Sequence, residues 1–191
     1  MSAGRLSPLM AALGAVQQLL ERYDDRGLVV GGVAASLLGS ARYTGDVDVM
    51  LILSTARLGE LLAETGQLGF APRMQDAEDF ARRHRVLLLR HIESGTPVDL
   101  ILGMLPFEEE AVARGVKSDL GAVQVRLPTP EDLIIMKAVA GRDKDMADIA
   151  AVAEKFQQLD RYRIERWVRL FADALELPDL WSRVAPLLPP S

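Results

Sequence analysis

Apolar residues near the start of the chain recur at helical spacing and predict an amphipathic helix that faces a core. The residues that share this stripe are Leu6, Leu9, Met10, Leu13, Leu20 and Tyr23. Gln17, Gln18 and Glu21 interrupt the apolar run, which argues against a signal peptide. Elsewhere no apolar stretch approaches the roughly 20 residues that a membrane-spanning helix needs, so no membrane partner is expected.

Alternation with a period of two is clearest over residues 46–53 and predicts a strand. One face of this strand is wholly apolar and is expected to face the core; its members are Val47, Val49, Leu51 and Leu53. The opposite face begins with Asp46 and Asp48. The informative feature of the strand is therefore a pair of carboxylates at one end of an otherwise buried element.

Shorter patterns predict the remaining elements. Strands are expected at 28–30, near Phe70, at 86–92 and at 97–102, the last two forming an antiparallel hairpin, with turn and short strand over 114–127. Helices are expected at 33–38, 55–64, 130–140, 143–157 and 163–175. The third of these has Thr129 as N-cap, Pro130 as its first residue and Gly141 as its stop.

This order of elements predicts an α/β (α+β) fold in which helices flank a mixed sheet and a helical portion follows. We expect residues 1–127 to form the core domain and residues 128–191 the helical portion. With 191 residues, 49% of them hydrophobic and 26% charged, the chain is long and apolar enough for one soluble globular domain, or a small domain with a helical appendage.

Charge and cysteine content exclude several classes of function. The formal net charge of −5 argues against a protein that coats polyanions, although it permits a local basic groove. The chain has no cysteine, which rules out a disulfide framework, a thiolate zinc site and a cysteine nucleophile. A cytoplasmic location fits this composition.

Three aspartates are the first candidates for chemistry. Asp46 and Asp48 lie two residues apart on a strand and so point to the same side. If the 97–102 strand is a neighbour, Asp99 approaches them to roughly 5 Å between β-carbons. Such carboxylates suit Mg²⁺, and two such ions serve an in-line phosphoryl displacement. The alternative is that all three are ordinary solvated residues of strand ends and a hairpin.

Gly31 and Gly32 are the second candidate, since they lie between a strand and the start of a helix. Backbone amides at this position, unobstructed by a β-carbon, donate to phosphate oxygens, and the helix dipole favours negative charge there. The alternative is a tight turn in which glycine merely lets the helix pack on the sheet.

In this order the motifs resemble those of nucleotidyltransferases of the DNA polymerase beta superfamily. The residues that carry the resemblance are Val30-Gly31-Gly32, Asp46-Val47-Asp48-Val49 and Val98-Asp99-Leu100. The resemblance covers roughly residues 28–102. It implies that the glycine turn holds a nucleoside triphosphate and that Asp46, Asp48 and Asp99 bind two Mg²⁺ ions, with Mn²⁺ as a possible substitute.

A narrower resemblance is to the AbiEii/AbiGii-type toxin nucleotidyltransferases. It rests on Gly31-Gly32-Val33-Ala34, Arg42-Tyr43-Thr44-Gly45-Asp46, 130–137 and 140–149. It implies that Lys137 contacts the triphosphate or base, and that the second wall of the nucleotide site is shaped by Arg142, Lys144, Asp145 and Asp148. The alternative is a salt-bridge network between helices. This family also implies an RNA acceptor such as tRNA and an antitoxin partner.

The reaction expected from these resemblances is transfer of a nucleoside monophosphate from a nucleoside triphosphate to an acceptor hydroxyl, with release of pyrophosphate. Asp46 and Asp48 would bridge both metal ions, and Asp99 would hold the second ion and help to deprotonate the acceptor. Two alternatives stay open: a nucleotidyltransferase for small molecules such as aminoglycosides, and a non-catalytic nucleotide-binding regulatory module.

Weaker candidates are two basic stretches, either of which would track an RNA backbone. They consist of Arg73, Arg82, Arg83, His84, Arg85 and Arg90, and of Arg161, Arg163, Arg166 and Arg169. The alternative is that both are solvated faces balanced by nearby acids. Arg42 and Thr44 are candidates to orient Asp46 or a phosphate. His84 and His91 receive no role, because neither has a metal-ligating partner at suitable spacing.

Overall fold

The computed structural model describes residues 7–40 and 44–190. The strands are β1 Gly27–Val30, β2 Val47–Ile52, β3 Phe70–Pro72, β4 Val86–His91, β5 Pro97–Gly103, β6 Val116–Asp119 and β7 Gln124–Leu127. The helices are α1 Pro8–Arg22, α2 Gly31–Leu38, α3 Leu58–Gln67, α4 Ala77–His84, α5 Pro106–Arg114, α6 Pro130–Ala140, α7 Asp143–Lys155, α8 Arg161–Ala174 and α9 Leu180–Val184. The predicted fold class, a mixed sheet flanked by helices and followed by a helical portion, is confirmed.

Internal contacts divide the chain into two compact units. The first consists of Met1–Val33 and Thr44–Leu127, and the second of Ala34–Tyr43 and Pro128–Ser191. The strands given above belong to the first unit, and the second unit is helical where it is described. The second unit also takes a short internal segment that lies far upstream in the sequence.

The first unit is built on a five-stranded sheet with the strand order β1-β2-β5-β4-β3. β2 and β5 run parallel, whereas the other neighbouring pairs are antiparallel, including the predicted β4–β5 hairpin. β2 is buried on both faces, since Met50 and Ile52 are as inaccessible as the predicted core face. The predicted alternation of buried and exposed residues along β2 is therefore only partly present, because helices α1 and α5 both pack against this strand.

The second unit is organised around α6. Its start is as predicted: the Thr129 hydroxyl accepts a hydrogen bond from the Asp132 backbone N–H at 3.2 Å, and Pro130 is the first helical residue. Gly141 ends the helix with a left-handed φ of 67°. Helices α7, α8 and α9 all contact α6, so its buried residues lie on more than one face.

Helices α4 and α5 were not predicted. α4 buries only Ala77 and Ala81 along its length, so it shows no large apolar stripe in the sequence and was interpreted as part of an Arg-rich stretch. α5 begins at Pro106, and the Glu108 carboxylate accepts from the backbone N–H groups of Met104 and Leu105 at 2.7 and 2.8 Å. Proline followed closely by glutamate was the signal that would have found it.

In the part of the chain that the structure describes, every helix is too short or too polar to cross a bilayer.

Candidate active site

The predicted acids lie where β2 and β5 run side by side. Asp46 directly precedes β2, Asp48 is its second residue, and Asp48 is in register with Asp99 on the parallel strand β5. Side chains of registered residues point to the same face of a sheet, and residues two apart on a strand share a face. The expectation that β5 neighbours β2 is confirmed, and the three carboxylates therefore line one edge of one face.

The glycine turn lies against this edge. Gly31 follows β1 with a φ of +62°, a left-handed conformation that residues with a β-carbon rarely adopt. A β-carbon built on Gly31 would collide with the Asp48 carboxylate. Gly32, at the second position of α2, is buried. The structure thus brings the glycine turn and the acid pair, which are separate motifs in the sequence, into direct contact.

Asp46 is held by a residue close to it in the sequence. The Thr44 hydroxyl donates to Asp46 Oδ1 at 2.7 Å. This contact supports the prediction that Thr44 orients the first acid. Arg42, the other residue to which that task was assigned, lies outside the described residues.

Asp99 is a carboxylate in a perturbed environment. Burial raises the pKa of Asp99, the guanidinium of Arg73 opposes that effect, and the charge of Asp46 raises the pKa further. The net direction is upward. The influence of Asp46 indicates that the two carboxylates are close enough to repel each other.

Arg73 is the functional candidate that sequence reasoning missed. It lies directly after the edge strand β3, and its guanidinium forms an ion pair with Asp99 Oδ1. In the sequence it was grouped with an exposed basic stretch, because 26 residues separate it from its partner. The contact between Arg73 and Asp99 depends on the register of β3 on β4, and local sequence patterns do not reveal that register.

The residues at this edge fit a hard divalent cation by donor chemistry. Carboxylate oxygens are the ligands that Mg²⁺ prefers, and like-charged carboxylates side by side favour a bound cation. However, no three His, Asp or Glu side chains among residues 7–40 and 44–190 are grouped closely enough to hold an ion. In this conformation Asp99 is bound to Arg73 instead.

The second group of candidates lies in the helical unit and forms a buried ionic cluster. Lys137 Nζ is 3.0 Å from Asp145 Oδ1 and 2.7 Å from Asp148 Oδ2. The Ser40 hydroxyl donates to the other oxygen of Asp148 at 2.7 Å. Lys137 is 4% exposed, and Asp145 and Asp148 at most 1%. These contacts match the salt-bridge alternative, and a role of Lys137 at the triphosphate stays a prediction.

Arg142 and Lys144 occupy the rim of this cluster. Arg142 Nε donates to Asp145 Oδ2 at 2.6 Å, while most of its side chain is exposed. Lys144 is exposed on α7. Of the four residues assigned to the second wall of a nucleotide site, Arg142, Asp145 and Asp148 are thus linked through one another and Lys137, and Lys144 faces solvent.

Asp145 gives this cluster a predictable response to acid. Burial raises the pKa of Asp145, but hydrogen bonds from Arg142 and Lys137 outweigh it, so the pKa lies below the ordinary value of 3.8. A carboxylate whose folded-state pKa is depressed adds stability above its unfolded pKa and loses it as the pH falls through the folded value. We expect the melting temperature of the wild type to fall more steeply than that of Asp145→Asn below about pH 4. Parallel slopes in thermal melts would contradict this.

Gly31→Ala is expected to damage both stability and the site. The left-handed φ costs alanine about 1–2 kcal/mol, and its methyl group must displace the Asp48 carboxylate. We expect a melting temperature lower by several degrees, at about 2–4 °C per kcal/mol for a chain of this size. Gly59→Ala is the matched control, because its β-carbon would meet nothing within 4 Å on helix α3. An equal melting temperature for the two variants would refute the close approach.

Most members of the two basic stretches have internal partners. Arg82 pairs with Glu78, and Arg169 pairs with Glu165, both at 2.7 Å. Arg163 pairs with the buried Asp132 at 2.8 Å. Others donate to backbone carbonyls, namely Arg83, Arg85, Arg90 and Arg161. These contacts favour the interpretation of solvated, internally balanced faces over an RNA track.

Comparisons with known proteins show the family of the chain and its fold. The model of a family described as "Nucleotidyltransferase of unknown function (DUF6036)" matches residues 5–173. The search of curated proteins returned no match.

Several solved structures are similar in fold. An antigenic nucleotidyltransferase-like protein from Paracoccidioides brasiliensis has a TM-score of 0.55 at 20% identity, over 95% of this chain and 94% of that one. A putative nucleotidyltransferase from H. pylori has a TM-score of 0.51 at 15% identity, over 97% of this chain and 83% of that one. The antibiotic-resistance factor ANT(2'')-Ia has a TM-score of 0.49 at 17% identity, over 95% and 92%. At these identities the first two similarities show the fold, and the third is too low to support an argument about the acceptor.

Proposed function

Because the chain belongs to the DUF6036 family of nucleotidyltransferases, we propose that it transfers a nucleoside monophosphate from a nucleoside triphosphate to an acceptor hydroxyl. The acceptor oxygen forms a bond to the α-phosphorus, the bond from that phosphorus to the bridging oxygen breaks, and pyrophosphate leaves. The observation that carries the proposal is the contact between Gly31 and Asp48, with Asp99 in register beside them. The glycine turn that would bind phosphate and the acidic edge are thereby adjacent.

Asp46, Asp48 and Asp99 would hold divalent cations, Mg²⁺ or Mn²⁺, at this edge. Such cations, when bound, neutralise charge on the triphosphate and favour ionisation of an attacking hydroxyl. The chain's own residues would do the positioning: Thr44 orients Asp46, and the first amides of α2 would donate to a phosphate group. Positioning and charge stabilisation account for most catalysis in reactions of this type, so a covalent protein intermediate is unnecessary.

The assignment of residues 128–191, and of Lys137, Arg142, Lys144, Asp145 and Asp148, to the nucleotide site remains part of the proposal. It is supported by the resemblance to the AbiEii/AbiGii-type toxins. The variants of Lys137 and Lys144 in the Discussion separate a ligand contact from a purely structural role.

For the acceptor we propose RNA, tRNA in particular, and for the biological role a cytoplasmic toxin that an antitoxin neutralises. Both follow from the same resemblance. Growth arrest on expression, abolished by Asp48→Ala, is the expected result in cells. Growth arrest that persists in the variant would contradict a catalytic toxin.

The biochemical test incubates the purified protein with Mg²⁺, each α-³²P-labelled nucleoside triphosphate in turn, and total tRNA. Asp46→Ala/Asp48→Ala runs beside it, and a parallel reaction replaces tRNA with an aminoglycoside. Label in tRNA with the wild type only supports the full proposal. Label in the aminoglycoside only keeps the reaction and overturns the acceptor. If neither is labelled and calorimetry shows no Mg²⁺-dependent triphosphate binding, the proposal fails and the acids are structural.

A further inference from the structure

A row of registered residues crosses the sheet from its edge to the acidic site. Pro72 at the end of β3 is paired with Leu89 on β4. Arg73 comes next, and the Arg73 backbone N–H donates to the Leu88 carbonyl at 2.9 Å. Leu88 is in register with Asp99 on β5, and Asp99 with Asp48 on β2. Registered residues share a face of the sheet. The backbone of Arg73 lies two strands, about 10 Å, from the backbone of Asp99. Its side chain spans Leu88 to reach the carboxylate.

The Arg73–Asp99 pair is only partly open to water. The side chain of Arg73 is 27% exposed and that of Asp99 33%. Water and salt screen such a pair less than a fully exposed pair. The Arg73 guanidinium therefore places a positive charge on an edge where Asp46, Asp48 and Asp99 collect three negative charges.

A neighbouring arginine lacks this placement. Arg90 lies on β4, two residues beyond Leu88, and donates to the Gly95 carbonyl at 2.8 Å within its own hairpin. It is exposed and was grouped with Arg73 in the basic stretch of the sequence. Arg90 is therefore a matched control for the charge of Arg73 without its contact to the acidic edge.

We propose that Arg73 is a positioning residue that binds Asp99 in competition with a divalent cation, so that cation binding requires the Arg73–Asp99 pair to open. This inference rests on the proposed function, because it assumes that Asp99 is a cation ligand. Among the described residues the three acids line one edge without forming a group of three cation ligands, and Asp99 is paired with Arg73. Arg73 thereby sets the cation concentration at which the site becomes complete.

The test is a titration with Mn²⁺ alone, in which the electron paramagnetic resonance signal of free Mn²⁺ reports binding in the absence of nucleotide. We expect Arg73→Gln to bind Mn²⁺ about fivefold more tightly than the wild type, because cation binding to the wild type must first open one partly exposed ion pair. Arg73→Lys should lie between the two, and Arg90→Gln should match the wild type. In the Asp99→Asn background, Arg73→Gln should have no effect, because the competition is gone.

Three outcomes overturn the inference: unchanged affinity in Arg73→Gln, weaker binding in Arg73→Gln, and the same gain in Arg90→Gln. Weaker binding would mean that Arg73 supports Asp99 as a ligand rather than competing for it. Thermal melts establish that each variant is folded at the titration temperature. If Arg73→Gln is not folded, Arg73→Lys provides the test. The proposed function fails separately, when Asp46→Ala/Asp48→Ala binds Mn²⁺ as tightly as the wild type.

Discussion

We expect Asp48→Asn to lower nucleotidyl transfer by on the order of 10³-fold or more while the protein stays folded. Asp48 is the acid with the most connections to the site, since it is in register with Asp99 and lies against Gly31. Asparagine keeps the shape of the side chain but removes the charge that a divalent cation and a triphosphate site require. Because one of several neighbouring negative charges disappears, the melting temperature should stay the same or rise.

The measurement is the initial rate of label transfer at saturating nucleoside triphosphate and Mg²⁺, together with a thermal melt. Asp119→Asn is the matched control: Asp119 is an exposed strand residue, and its Oδ1 accepts from the Gly121 N–H, a contact that an amide oxygen preserves. The control should keep the full rate. A rate for Asp48→Asn within tenfold of the wild type would remove Asp48 from the catalytic machinery.

Lys137→Ala is expected to cost about 3–5 kcal/mol of folding free energy. The substitution leaves Asp145 and Asp148 buried side by side without the ammonium group that lies 3.0 and 2.7 Å from them. Arg142 still reaches Asp145, and Ser40 still reaches Asp148, so the helical unit is weakened rather than abolished. At about 2–4 °C per kcal/mol, the melting temperature should fall by roughly 6–20 °C.

Lys144→Ala is the matched control, because it removes the same charge from an exposed position seven residues further along the chain. We expect it to change stability by less than about 0.5 kcal/mol. The same pair of variants tests the nucleotide assignment. If Lys137→Ala melts like the wild type but raises the KM for the nucleoside triphosphate, Lys137 contacts the ligand and the cluster is not its main role. If stability falls and the KM of the folded enzyme is unchanged, the cluster is structural.

Local signals were sufficient where an element is defined by its own residues. Thr129, Pro130 and Gly141 bounded α6 correctly, because capping and termination depend on backbone groups within one helix. The β4–β5 hairpin was predicted from two apolar runs around a turn. Helix α4 was missed because its own residues carry no such signal: it buries only two alanines and lacks an apolar stripe.

The candidate site was predicted as two motifs, and the sequence alone could not say that they touch. The left-handed φ of Gly31 and its closeness to the Asp48 carboxylate depend on how β1 and β2 pair, and pairing register is a long-range property. Lys137 shows the converse case. Its position on an apolar helix indicated a buried partner, and only packing against α7 showed that Asp145 and Asp148 lie beside it.

The sequence by itself indicated a nucleotidyltransferase and predicted the fold class, the acids at the start of β2 and the glycine turn, because these are carried by residue type, spacing and period. Tertiary structure alone decided which charges meet. Arg73 reaches Asp99 across 26 residues, and Ser40 reaches Asp148 across 108. A charged side chain is interpreted as solvated until its partner is known, and its partner is set by strand register and helix packing. For this reason the sequence placed Arg73 in a basic stretch and did not indicate its contact with Asp99.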